Sequence, residues 1–225
     1  MGAGFASLLP MTLLARLERR FGWLTIQGLP LYIVATQGLV YVWGLMNPEG
    51  LHFLTLNPAA IVEGREYWRL LTFLFIPPMQ NPLFTFFFLY LLYVYGSALE
   101  TEWGSFSFTL FYLCGAMGTV VAAFFFGGSA GAFYLNTSLF LAFAAVHPDF
   151  ELLFFFVIPL KIKWLALATW VWFGYLFLGA SIATKASLLV SFINYFLFFG
   201  PVHFASVRDM IVRTRHRRRF KDWSD

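Results

Sequence analysis

Side chains able to do covalent or metal chemistry are few in this chain and stand apart from one another. Its four histidines, His52, His147, His203 and His216, include no pair at the i,i+4 spacing that puts two imidazoles on one helical face. Its one cysteine is Cys114. A histidine–cysteine metal centre therefore has no basis, and no disulfide can form within the chain. Hydrolysis by a serine needs a base within hydrogen-bond reach and donors aimed at the developing oxyanion. A serine in a glycine-rich setting occurs at Gly128-Ser129-Ala130-Gly131. The other polar groups in apolar surroundings are Trp68-Arg69, Glu100, Glu102, Asn136, Thr137, Ser138 and Asn194. Their ordinary work at membrane depth is interhelical hydrogen bonding, at roughly 1 kcal/mol or less each.

Elements must position these groups, and composition says which kind. Of 225 residues, 60% are hydrophobic, 12% are charged and 21% are aromatic. Soluble domains hold about half apolar and a quarter charged residues. Disorder and a disulfide scaffold are excluded on the same numbers, and a polytopic helical membrane protein remains. Spans of roughly 20 apolar residues are expected at 24–46, 82–99, 105–127, 130–146, 162–180 and 184–202. Residues 69–79, ending at Pro77-Pro78, are apolar but too short to cross, and are read as a membrane-dipping part of the first loop. No removable signal peptide is expected, because the first residues carry no basic region before an apolar core.

Residues 1–23 form an interfacial segment, since Leu13, Leu14, Leu17 and Phe21 share one helical face opposite Arg16, Arg19 and Arg20. The six-span domain covers 24–202 and a basic tail 203–225. With both termini cytoplasmic, twelve of the fifteen Lys and Arg fall inside, leaving Arg65, Arg69 and Lys185 outside. The tail from Arg213 to Lys221 reads as an anchor on anionic lipid, not a nucleic-acid surface, for it lacks a folded face with stacking aromatics.

Three motifs occur in order: Glu66-Tyr67-Trp68-Arg69-Leu70-Leu71-Thr72 in the first loop, Gly96-Ser97-Ala98-Leu99-Glu100-Thr101-Glu102-Trp103-Gly104-Ser105 after the second span, and Gly128-Ser129-Ala130-Gly131-Ala132 opening the fourth. Over about 45–202 this set resembles the rhomboid superfamily of intramembrane serine proteases. The resemblance implies a six-helix bundle with a serine on the fourth span, a histidine base on the sixth and two oxyanion donors on the second. Those positions are Ala130, Ile193, Phe84 and Phe88 here. Ser129 would point about 100° away from Ala130 on a helix. Tyr134 matches the aromatic that packs on the family histidine, and Gly131, Gly115 and Gly118 suit close helix packing. Derlins, inactive rhomboid-like proteins of membrane quality control, are similar in the Trp68-Arg69 motif and the preceding Leu56-Asn57-Pro58.

The expectation is thus an all-α, rhomboid-like pseudoprotease without cofactor or metal. Phe84, Phe88 and Ile193 are expected to fill what would be a hydrated active site. Its partners would be membrane lipids and transmembrane clients, the latter met in part at Trp68 and Arg69, with Gly96, Glu100, Gly104, Gly128, Gly131 and Tyr134 as scaffold. The compartment would be a bacterial inner membrane or, in a eukaryote, the endoplasmic reticulum. A structural subunit of a larger complex and a divergent protease are the competing readings.

Overall fold

Glycine, proline and asparagine set most helix boundaries in the computed structural model. It describes residues 11–78, 81–127, 131–154, 158–179, 185, 188–190, 192–195 and 197–198. Helix α1 spans Met11–Phe21 and ends in a 3-10 turn at Gly22–Leu24. Helix α2, Leu29–Met46, starts where Gly28 takes a left-handed φ of 69° and Pro30 enters the first turn. A side chain at Gly28 would strain that turn. The first loop holds two short helices, α3 (Pro58–Val62) and α4 (Arg69–Thr72). Asn57 Oδ1 caps α3 by accepting from the amides of Ala59 and Ala60.

Helix α5, Pro82–Trp103, is capped by Asn81, whose Oδ1 accepts from the Phe84 amide at 3.0 Å. Gly104, at φ 82°, ends α5 and starts α6, Ser105–Phe126. Then come α7 (Phe133–Val146), strands β1 (Glu151–Phe154) and β2 (Ile158–Lys161), and α8 (Ile162–Gly179).

Among the described residues, four helices are long and apolar enough to cross a membrane: α2, α5, α6 and α8. Helix α7 is apolar but only 14 residues long, so the fourth expected span is shorter than a crossing helix. The sixth expected span, 184–202, is described at scattered positions only. The molecule is therefore a mostly helical, multi-pass bundle, with four helices of crossing length among the described residues. Residues 1–10, Gly128, Ser129, Ala130 and the tail from 199 onward lie outside the described residues.

A purely α-helical reading needs one correction. The stretch between α7 and α8 forms an antiparallel hairpin with Glu151 opposite Lys161 and Leu152 opposite Leu160. Its apolar run is too short to cross a bilayer and pairs its backbone groups across strands. Lys163 Nζ donates to Asp149 Oδ1 at 2.7 Å, and this ammonium holds the Asp149 carboxyl below the usual carboxylate range.

The bundle is joined at both ends and filled with rings. Gly96 lets α5 meet α2, since a Cβ there would sit 3.0 Å from the Pro30 side chain. Helix α7 supplies Leu135, Leu139, Leu141, Ala142 and Phe143 to the core. Tyr95 of α5 packs on Phe140 and Phe143 at 6.2 Å each. At the α5–α6 turn, the Ile26 amide donates to Thr109 Oγ and His147 pairs with Glu102 at 3.0 Å. One end of the bundle thus carries the chain from α1, the α5–α6 turn and the hairpin. Lys161 and Lys163 lie in that hairpin and at the start of α8, Arg16, Arg19 and Arg20 lie in the helix that leads into the same end, and Arg65 and Arg69 lie in the loop at the far end of α2.

Candidate functional site

The first loop is closed by its own motif. Arg69 is 6% exposed and ion-paired to Glu66. Its Nη1 donates to the carbonyls of His52 and, at 2.9 Å, Thr55. Trp68 Nε1 donates to the Phe53 carbonyl at 3.2 Å, and Thr72 Oγ to the Leu54 carbonyl at 2.9 Å. Four consecutive carbonyls, 52 to 55, are satisfied by three side chains of one helical turn. An apolar environment makes each unpaired carbonyl costly, so this clasp is what permits irregular backbone near the bilayer. Gln37 extends the clasp to α2, its buried Nε2 donating to the Leu74 carbonyl at 2.9 Å.

A second cluster joins the opposite end. Glu100 Oε1 accepts from the Gly28 amide at 2.8 Å and from Ser105 Oγ at 2.7 Å. The carboxylate thereby ties the start of α2 to the α5–α6 turn, with Gly96 and Gly104 supplying the close approach and the turn conformation. Replacing Glu100 by alanine is expected to cost about 1–2 kcal/mol, and Glu100→Gln, which keeps the acceptor, less than half of that. Thermal unfolding in detergent, followed by labelling of Cys114, reads the difference.

The third cluster is a seam where α6 and α7 meet residues 188–190, 192–195 and 197–198. Asn194 Nδ2 donates to Ser138 Oγ at 2.8 Å, and Ser138 donates to the Leu135 carbonyl at 2.7 Å. Gly115 and Gly118 make room: a Cβ on Gly115 would lie 2.6 Å from Asn194 Nδ2, and one on Gly118 2.5 Å from the Val190 carbonyl oxygen. Tyr134 packs edge-on against Phe192 at 6.3 Å. Beside the seam, Trp170, Phe173, Gly174 and Phe177 of α8 face Leu188, Leu189 and Phe192 across an apolar groove of about 240 Å³.

A family model described as eukaryotic integral membrane protein (DUF1751) matches residues 27–201. The chain belongs to that family. No curated protein matches it. The family match contains the clasp, the Glu100 junction, the seam and the groove, whereas α1 lies before it. The family's description as eukaryotic goes against the bacterial inner membrane among the expected compartments.

Within this DUF1751 bundle the expected degenerate positions have different settings. Ala130 lies outside the described residues, as does Gly128. Ile193 places its Cγ2 2.8 Å from where a Gly118 Cβ would stand and is 39% exposed. Phe84, in the first turn of α5, is 46% exposed, so its ring does not fill an interior space as expected; Phe88, one turn on, packs partly buried against the core. Gly131 also departs from expectation: among the described residues, a Cβ there would meet nothing within 4 Å. Trp68 and Arg69 hold the loop together with Glu66 and Thr72.

Gln37 is the polar residue that motif matching misses, whereas Thr72 closes the first-loop motif itself. Gln37 carried one signal, an amide in the middle of an apolar span. Asn136 is 1% exposed with neither amide atom partnered among the described residues. Asn136→Leu is expected to raise stability by about 1 kcal/mol, because an unsatisfied buried amide is removed at similar volume. A lowered melting temperature for that variant would assign the amide a partner.

Proposed function

We propose that this protein is a non-catalytic, rhomboid-like membrane protein that holds transmembrane segments of client proteins along α8, in membrane quality control. The observation that carries the reading is the setting of α8. It is a helix of crossing length, yet only Ile162 and Phe173 of it are buried. Its bond to the rest is an aromatic seam, with Phe173 on Phe192 at 5.0 Å and Trp170 on Tyr195 at 5.6 Å. Trp164, Leu167, Val171, Tyr175 and Leu178 remain exposed, a stripe matched to another apolar helix. The absence of chemistry rests on the residues at the family's reactive positions: Ala130 has no nucleophile, Ile193 no base, and Phe84 and Phe88 no donor.

The position of Lys161 and Lys163 at one end, with Arg16, Arg19 and Arg20 in the helix that leads into it, supports a cytoplasmic placement of that end and of both termini. An endoplasmic reticulum membrane fits a eukaryotic family and this role.

Two measurements test the proposal. A photo-crosslinker at Val171 in the membrane-embedded protein should capture many transmembrane proteins, each substoichiometric. A single stoichiometric partner would instead make the chain a fixed subunit, and capture of lipid alone would remove the client role. Stoichiometric labelling of any serine by a serine-hydrolase probe would overturn the non-catalytic half.

A further inference from the structure

The groove beside α8 is apolar along its length but has a cation at one end. Trp170, Phe173, Gly174 and Phe177 form an i, i+3, i+4, i+7 stripe, which runs about 10 Å along the helix. At the Phe177 end, the Lys185 Nζ lies over the Phe177 ring, 5.4 Å from its centroid. Lys185 is half-buried, and no ion pair of its ammonium occurs among the described residues. Phe177 therefore belongs both to the groove wall and to the setting of the charge.

From these placements we infer that the groove is a binding site for one acyl chain of an anionic phospholipid, whose phosphate sits at Lys185. The lining is almost wholly apolar, as an acyl chain requires. Charge favours an anionic headgroup, because a lysine at the membrane boundary attracts anionic lipid. Gly174 keeps the wall open, since a Cβ there would meet nothing within 4 Å among the described residues. The inference is separate from client binding, which concerns a neighbouring face of α8, about 110° round the helix.

The test uses the full chain in nanodiscs of phosphatidylcholine, with either phosphatidylserine or phosphatidylcholine brominated on its acyl chains. Bromine quenches tryptophan, and subtracting a Trp170→Phe sample isolates the signal of Trp170. Half-quenching should need about five-fold less brominated phosphatidylserine than brominated phosphatidylcholine, the preference that one surface lysine supplies. Lys185→Gln should bring the two lipids level, and Lys185→Arg should keep the preference. Gly174→Leu should reduce quenching by both, and melting temperatures no lower than that of the parent protein show that these variants are folded. Equal quenching by both lipids in the parent protein would overturn the inference, as would a preference that survives Lys185→Gln. Displacement of the brominated lipid from Trp170 by a neutral transmembrane peptide would also overturn it, by making a helix the occupant.

Discussion

Arg69→Ala is expected to lower stability by about 3–4 kcal/mol, the largest loss from any single side chain of the first loop. The guanidinium is buried and serves Glu66 and the carbonyls of His52 and Thr55 together. Removing it leaves a carboxylate without its counter-ion and two carbonyls with poorer solvation. For a chain of this size the change corresponds to roughly 10 °C in melting temperature. Arg69→Lys should recover less than half, because an ammonium cannot present a planar fork to three acceptors. Thr72→Val, which frees the Leu54 carbonyl alone, should cost about 1 kcal/mol. Unfolding in mild detergent, with a fluorogenic maleimide on Cys114, measures all three. A loss under 1 kcal/mol for Arg69→Ala would show that the clasp is not what holds the loop.

Much of this architecture was legible because a bilayer demands long apolar runs. The expected span 105–127 and the observed α6 nearly coincide, and the α2 and α5 boundaries differ by a few residues. In α2 the difference has a local cause: Gly28 delays the helix to Leu29. Helix α5 runs past residue 99 because its last turn is apolar only in part, so hydropathy understates it. The hairpin was illegible for the opposite reason. Its apolar residues fit a buried helix as well as a strand, and only the cross-strand pairing decides. The first-loop motif could be seen as a motif, but its work could not. Which carbonyls Arg69, Trp68 and Thr72 reach depends on the path of residues 47–57, which no periodicity encodes. Phe84 shows the limit of alignment to a family position: a residue's place in a motif does not fix whether its ring faces the interior.

The second large effect lies in the seam. Gly118→Ala is expected to cost about 2 kcal/mol, even though alanine is worth about 1 kcal/mol in a helix interior. The new Cβ would stand 2.5 Å from the Val190 carbonyl oxygen and 2.8 Å from Ile193 Cγ2. The oxygen belongs to backbone and cannot swing away, so Val190 and Ile193 must shift away from α6. That movement loosens the hydrogen bond from Asn194 to Ser138. Gly118→Leu should cost more than 3 kcal/mol for the same reason. Gly174→Ala is the internal control. Its Cβ meets open space, and it should stabilise by roughly 0.5–1 kcal/mol. The two alanine substitutions are thus expected to move the melting temperature in opposite directions. A stabilised Gly118→Ala would mean that the seam is looser than its contacts indicate.

The shortness of α7 has a consequence for how the chain is made. Its 14 residues reach about 21 Å, well short of the roughly 30 Å of hydrocarbon it would have to cross alone. Eight of them are buried in the bundle, including Asn136 and Ser138, which an isolated segment would expose to lipid. During biogenesis α7 therefore cannot enter the bilayer as an independent unit. It needs α5 and α6 already in place as its solvent, so membrane insertion of this segment and folding of the bundle are one event.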